Sequence, residues 1–232
     1  VSSCAPSWVL GVAGQRGLSR GRPRGGRSKE VVQPRNVLLL LQGHVEKTAP
    51  KDLPLKFVEK MALEVVDRMT PRDISTMMSK YGRIGKPPGK AMLEAIERQG
   101  VVKMLEFDEQ GVVNTLHAYA KLGVRPGHAM MEALERQAVA KIGDFGPRGL
   151  ANTLWSFARL GMTPGNTLLM ALEERMVESM GSFKPQAIAN TLWAYAGFGV
   201  VPGEEILAGV EAQALAEIRG VNPQDMTTLM WA

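Results

Sequence analysis

The chain has 232 residues, 45% hydrophobic and 22% charged, which provides for a sizeable core and carries too little charge for wholesale disorder. A lone cysteine, Cys4, excludes a disulfide framework, and His44, His117 and His128 never fall at metal-ligand spacing, so no metal or other cofactor is expected. The net charge of +5 is concentrated in residues 1–30, where Arg16, Arg20, Arg22, Arg24, Arg27 and Lys29 face only Glu30; from residue 31 onward 22 basic residues meet 22 acidic ones.

Residues 1–30 are rich in Gly, Ser and Arg, with steps such as Arg16-Gly17, Arg20-Gly21 and Arg24-Gly25, and show no apolar periodicity. They are expected to be disordered, as an organelle transit segment, with an RGG-like arm that holds RNA non-specifically and a plain linker as alternatives. Residues 31–70 read as a divergent repeat: Pro34 opens an apolar helix and Phe57–Met69 resembles the second helix of later units. The run Val37–Leu41 is the longest apolar stretch and far short of a membrane span, so no membrane partner is expected.

From residue 71 a period of 38 residues takes over. Pro71, Glu109, Pro147, Pro185 and Pro223 share one register, as do Gly85, Gly123, Gly161 and Gly199, and the Pro-Gly pairs at 88-89, 126-127, 164-165 and 202-203. Four complete repeats span 71–222, and residues 223–232 open a fifth that stops inside a helix; with Val1 rather than Met at the start, the expectation is a segment of a longer protein. Each unit reads as two helices. In the third, Pro147 suits a first helical turn, Leu150, Leu154, Phe157 and Ala158 form one stripe, and Gly161 supplies the stop. Pro164-Gly165 then opens a second helix with Leu168, Leu169, Leu172, Met176, Val177 and Met180 on one face, ending near Gly181. The reading is an all-α protein, a right-handed α-solenoid of two-helix 38-residue repeats in which stacked neighbours bury what no unit buries alone.

The segments Leu150-Ala151-Asn152-Thr153-Leu154-Trp155-Ser156-Phe157-Ala158-Arg159-Leu160-Gly161 and Pro185-Gln186-Ala187-Ile188-Ala189-Asn190-Thr191-Leu192-Trp193-Ala194-Tyr195-Ala196 closely resemble the octotricopeptide repeat, which is similar to the repeats of FAST-kinase-like and RAP-domain proteins. The resemblance covers residues 71–232 and is strongest in the third and fourth units. The first has Thr76-Met77-Met78-Ser79 where Asn-Thr-Leu-Trp stands later, and the second keeps Asn114-Thr115-Leu116 with His117 in place of Trp. It implies an α-solenoid of mitochondria or chloroplasts that binds single-stranded RNA and acts in transcript stability, processing, splicing or translation, in company with other organellar RNA-processing proteins. No RAP domain lies in this chain.

The charges offer an independent handle. Over the four complete repeats the first-helix halves contain eight basic and two acidic residues, and the second-helix halves eight basic and fourteen acidic. Stacked units would therefore present one basic and one acidic surface, and a basic stripe can follow a strand's phosphates. Phosphate contacts are assigned to Arg72, Lys80, Arg83, Lys121, Arg148 and Arg159, a stripe that fades in the fourth unit. Base-reading candidates are the opening residues Gln110, Gln186 and Gln224, beside Arg72 and Arg148, because amides and guanidinium groups offer paired donors and acceptors. Asn114, Asn152 and Asn190 are candidates too, although their recurrence favours a ladder that satisfies inter-repeat backbone groups. A rival set, Lys90, His128, Asn166 and Glu204, opens the second helices. Trp155, Trp193 and Trp231 recur at one position, where inter-repeat packing is favoured over base stacking. No nucleophile–base pair, carboxylate pair or phosphate-cradling loop is present, so neither catalysis nor a small-molecule substrate is expected. The alternative is a protein-interaction scaffold of the HEAT or TPR kind, using the acidic surface or the solenoid ends; a third is a targeting arm for chemistry on a further C-terminal domain.

Overall fold

The computed structural model describes residues 32–49 and 53–217. The Arg-rich tail, the opening of the fifth repeat, Gln224 and Trp231 lie outside the described residues. Among those described there are ten α-helices and no strand: α1 (Pro34–Val45), α2 (Leu55–Leu63), α3 (Pro71–Ile84), α4 (Lys90–Val102), α5 (Glu109–Leu122), α6 (His128–Ala140), α7 (Pro147–Arg159), α8 (Asn166–Ser179), α9 (Pro185–Phe198) and α10 (Glu204–Glu217). None is long and apolar enough to cross a membrane.

Local chemistry explains the boundaries. Pro34, Pro71, Pro147 and Pro185 sit in first turns, where the missing N–H has no intrahelical partner in any case. Thr70 and Asp73 close a reciprocal capping box at α3, and Asp108 accepts from the Gly111 N–H at α5. Gly85, Gly123 and Gly199 end α3, α5 and α9 in the left-handed conformation, at φ of 74°, 64° and 70°. The second helix of the third unit ends two residues before Gly181. α8 stops at Ser179, and a single 3-10 turn, Met180–Ser182, makes the connection to the next unit. The same turn recurs at Val66–Arg68, Met104–Glu106 and Ile142–Asp144.

The odd-numbered helices pack in succession, α1 on α3, α3 on α5, α5 on α7 and α7 on α9, and the even-numbered helices follow in a parallel order. Small residues let the odd-numbered row close up: a Cβ on Gly82 would lie 3.3 Å from Ala118 Cα, and one on Gly197 would lie 3.1 Å from Ala158 Cβ. Between the rows run two columns at the repeat period. One is Tyr81, Tyr119, Phe157 and Tyr195; the other is Phe107, Phe145 and Phe183, all fully buried. Each such ring contributes about 1.5–3 kcal/mol of burial. Leu168, Leu172, Met176 and Met180 are buried as the stripe predicts, Leu169 is half-buried, and Val177 stands at the stripe's outer edge, 38% exposed.

Polar clamps join consecutive units. Glu97 on α4 accepts from the Tyr119 hydroxyl at 3.0 Å and from the Gly127 N–H at 3.0 Å, so it caps α6 from the preceding unit. Glu59 does the same with Tyr81 at 3.5 Å and Gly89 at 3.2 Å. Glu135 keeps only the Gly165 N–H at 3.3 Å, because Phe157 replaces the tyrosine, and Glu173 takes the Tyr195 hydroxyl at 2.7 Å. Burial, with the carboxylate beside each hydroxyl, raises Tyr81 and Tyr119 above the ordinary tyrosine range, and Tyr195 likewise. A second set of bonds reaches back to the inter-unit turns: Gln137 Nε2 donates to Phe107 O at 2.7 Å, Arg175 Nε to Phe145 O at 3.2 Å, and Gln213 Nε2 to Phe183 O at 3.1 Å.

Candidate nucleic-acid interface

Residues two, six, nine and thirteen of each unit share one helical face, since they fall at i, i+4, i+7 and i+11. Across units they form four columns: Arg72, Gln110, Arg148, Gln186; Thr76, Asn114, Asn152, Asn190; Ser79, His117, Trp155, Trp193; and Arg83, Lys121, Arg159, Gly197. Two depressions open on this face. One, of about 460 Å³, is lined by Arg83, Gln110, Asn114, His117, Lys121, Arg148 and Asn152. The next, of about 780 Å³, is lined by His117, Lys121, Arg148, Asn152, Trp155, Lys184, Gln186 and Asn190. His117, Lys121, Arg148 and Asn152 belong to both, so the depressions form one groove along α5, α7 and α9.

The groove thus gathers Arg83, Lys121, Arg148, Gln110, Gln186, Asn114, Asn152 and Asn190. Arg72 and Arg159 are exposed members of the same columns but line neither depression. Lys80 lines neither depression: half-buried, it donates to Gln42 Oε1 of the divergent unit. Burial and then the Arg83 charge hold its ammonium below the usual lysine range. Arg125, part of the expected basic surface, is engaged at the end of α7, where Nε donates to Leu160 O at 3.0 Å and Nη2 to Gly161 O at 3.2 Å. Lys184, by contrast, is an exposed lining residue that the sequence reading misses. It precedes Pro185, so a division by helix groups it with the second helices; Thr70, Asp108 and Gly146 hold the equivalent positions, and no recurrence marks it. With it, the basic lining extends to the start of α9.

The asparagine ladder does not form among the described residues. No Asn114, Asn152 or Asn190 side chain bonds a neighbouring unit's backbone there; the Gln110 Nε2 donates to Asn114 Oδ1 at 3.0 Å within one helix. The inter-unit role falls to the glutamate clamps and to Gln137, Arg175 and Gln213, which leaves the asparagines half-buried in the groove wall. The aromatic column packs between units as expected: His117 and Trp155 have ring centroids 5.0 Å apart at 44°, and Trp155 and Trp193 6.2 Å apart at 33°. Trp193 is 37% exposed.

Burial first, then the Lys121 and Arg148 charges, pushes His117 down to about 4, so its imidazole is neutral at physiological pH. Its buried Nδ1 has no hydrogen-bond partner among the described residues. Among the described residues Glu109 is the one carboxylate lining the first depression; burial, together with Asp108 and Asp144, raises it above the ordinary range. The rival set lies away from the groove. Lys90 and His128 are exposed and face Glu94 and Glu132 at 3.9 and 3.8 Å, and Asn166 lines a separate depression with Glu132, Glu135 and Arg136.

In comparisons with known proteins, no family model and no curated protein matches this chain.

Proposed function

We propose that the helical units form a right-handed α-solenoid of the octotricopeptide-repeat kind whose odd-numbered helices bind single-stranded RNA, in the metabolism of organellar transcripts. The observation that carries the reading is the composition of the groove: Arg83, Lys121, Arg148 and Lys184 line it together with amides and the rings of His117 and Trp155. Cations attract phosphates, amides can pair with base edges, and rings offer faces on which unpaired bases stack. A duplex hides those edges and faces; a single strand exposes them. The role is binding, without catalysis.

The test is equilibrium binding of the whole chain to single-stranded RNA, DNA of the same sequence and duplex RNA at two salt concentrations. Single-stranded RNA should bind best. Replacing Arg83, Lys121 and Lys184 together by Ala should lower the logarithmic salt slope by about 0.7 for each phosphate no longer neutralised, roughly 2 in all. A second variant replaces the six basic residues of segment 1–30 by Gln. If only that variant loses RNA, the groove assignment fails and the protein-scaffold reading takes its place.

A further inference from the structure

We infer that the groove selects a symmetric base triplet, adenine–guanine–adenine, through α5, α7 and α9, an inference that rests on the single-stranded RNA reading above. The second, third and fourth units present, at residues two and six of each, the pairs Gln110–Asn114, Arg148–Asn152 and Gln186–Asn190. All six side chains line the groove, and Gln110, Arg148 and Gln186 are exposed.

The Gln110–Asn114 bond fixes what that pair offers. Gln110 Nε2 donates to Asn114 Oδ1, which leaves Gln110 Oε1 as an acceptor and Asn114 Nδ2 as a donor. One acceptor beside one donor matches the N6 amino group and N7 of adenine. Gln186 and Asn190 repeat the same residue types at the same spacing on the equivalent helix; no bond joins their side chains among the described residues, so the two amides are free to take the Gln110–Asn114 arrangement on the same base. Between them Arg148 offers donors only, and among the described residues it makes no ion pair or hydrogen bond. A guanidinium fork matches the O6 and N7 acceptors of guanine. The two depressions meet at Arg148 and Asn152, which places the central base between two equivalent neighbours. The neutral His117 imidazole and the Trp155 indole supply ring surface beside that position without adding charge.

The first unit stands outside the triplet. Thr76 has no amide, and Arg72 lines neither depression. Because the outer bases are alike, the preferred triplet reads the same in either strand direction.

The experiment is competition binding of the whole chain against single-stranded RNAs of uniform uridine flanks whose three central nucleotides run through every combination. The adenine–guanine–adenine triplet should bind best, and each wrong base should cost about tenfold. Arg148→Gln turns the central pair into a third Gln–Asn pair and should move the optimum to three adenines. Gln110→Arg and Gln186→Arg should each move one outer base to guanine, at opposite ends of the triplet, which also gives the strand direction. Any other optimum, uracil in place of the outer adenines included, or a central preference that survives Arg148→Gln, overturns the inference. Equal affinity for every triplet overturns it while leaving RNA binding in place. No RNA binding by the unaltered chain overturns both.

Discussion

Removing the Glu97 carboxylate tests how the units are joined. Glu97→Ala takes away the acceptor of the buried Tyr119 hydroxyl and the group that caps α6 through the Gly127 N–H, both at 3.0 Å. Leaving a buried hydroxyl unsatisfied costs about 1–3 kcal/mol, and losing a helix cap about 0.5–2 kcal/mol. Because one oxygen serves both donors the losses overlap, and a total of about 3 kcal/mol is expected. Tyr119→Phe removes the hydroxyl alone and should cost about 1 kcal/mol. Urea unfolding followed by far-UV circular dichroism gives the four corners of the cycle, and the Glu97–Tyr119 coupling should be about 1 kcal/mol or more. Glu135→Ala is the internal control. Phe157 faces it, so only the Gly165 bond at 3.3 Å is removed and about 1 kcal/mol should suffice. A Glu97→Ala loss below about 0.5 kcal/mol, or no difference between Glu97 and Glu135, would refute the clamp.

Other consequences are as concrete. His117 titrates at about 4 in the folded chain against an ordinary 6.5, so between those values the unfolded chain binds more protons and stability falls as pH falls. His117→Phe keeps a ring against Trp155; the stability difference between the unaltered chain and the variant should be flat above about pH 7 and shift against the unaltered chain from about 6.5 down to about 4, and a pH-independent difference would contradict the assignment. Gly123→Ala meets no neighbouring atom yet must hold φ at 64°, so differential unfolding should show a loss of about 1–2 kcal/mol from backbone strain alone. Arg125→Ala should lower stability by about 1 kcal/mol through its bonds to Leu160 and Gly161 while leaving RNA affinity unchanged.

The helix boundaries were legible because they depend on local chemistry. Pro71, Pro147 and Pro185 begin helices, and Gly85, Gly123 and Gly199 end them, as the register implies. The face carrying Gln110, Asn114, Lys121 and Arg148 was legible for the same reason, since helical spacing puts them together. What escaped depends on partners 22 or 30 residues away. Glu97 reads as a surface acid until Tyr119 and Gly127 are seen around it. Gly127 reads as part of a turn, although a Cβ there would lie 2.7 Å from Glu97 Oε2, so the glycine makes room for the neighbouring carboxylate. A faint signal existed: Glu59, Glu97, Glu135 and Glu173 recur at the same 38-residue period as the glycines. Lys184 and Arg125 escape for a related reason, because dividing charge by helix says nothing of which way a residue in a connection turns.

The glutamate clamps also give the chain a direction. The groups that complete α4, α6 and α8 at their starts come from the unit before: Glu59 for Gly89, Glu97 for Gly127, Glu135 for Gly165. During synthesis the earlier unit leaves the ribosome first, so each second helix emerges to find its terminal acceptor already in place. Deleting units from the C-terminal side removes donors and leaves a spare carboxylate that water can solvate. Deletion from the N-terminal side strips the leading helix of its acceptor, so the order of the units along the chain is also an order of dependence.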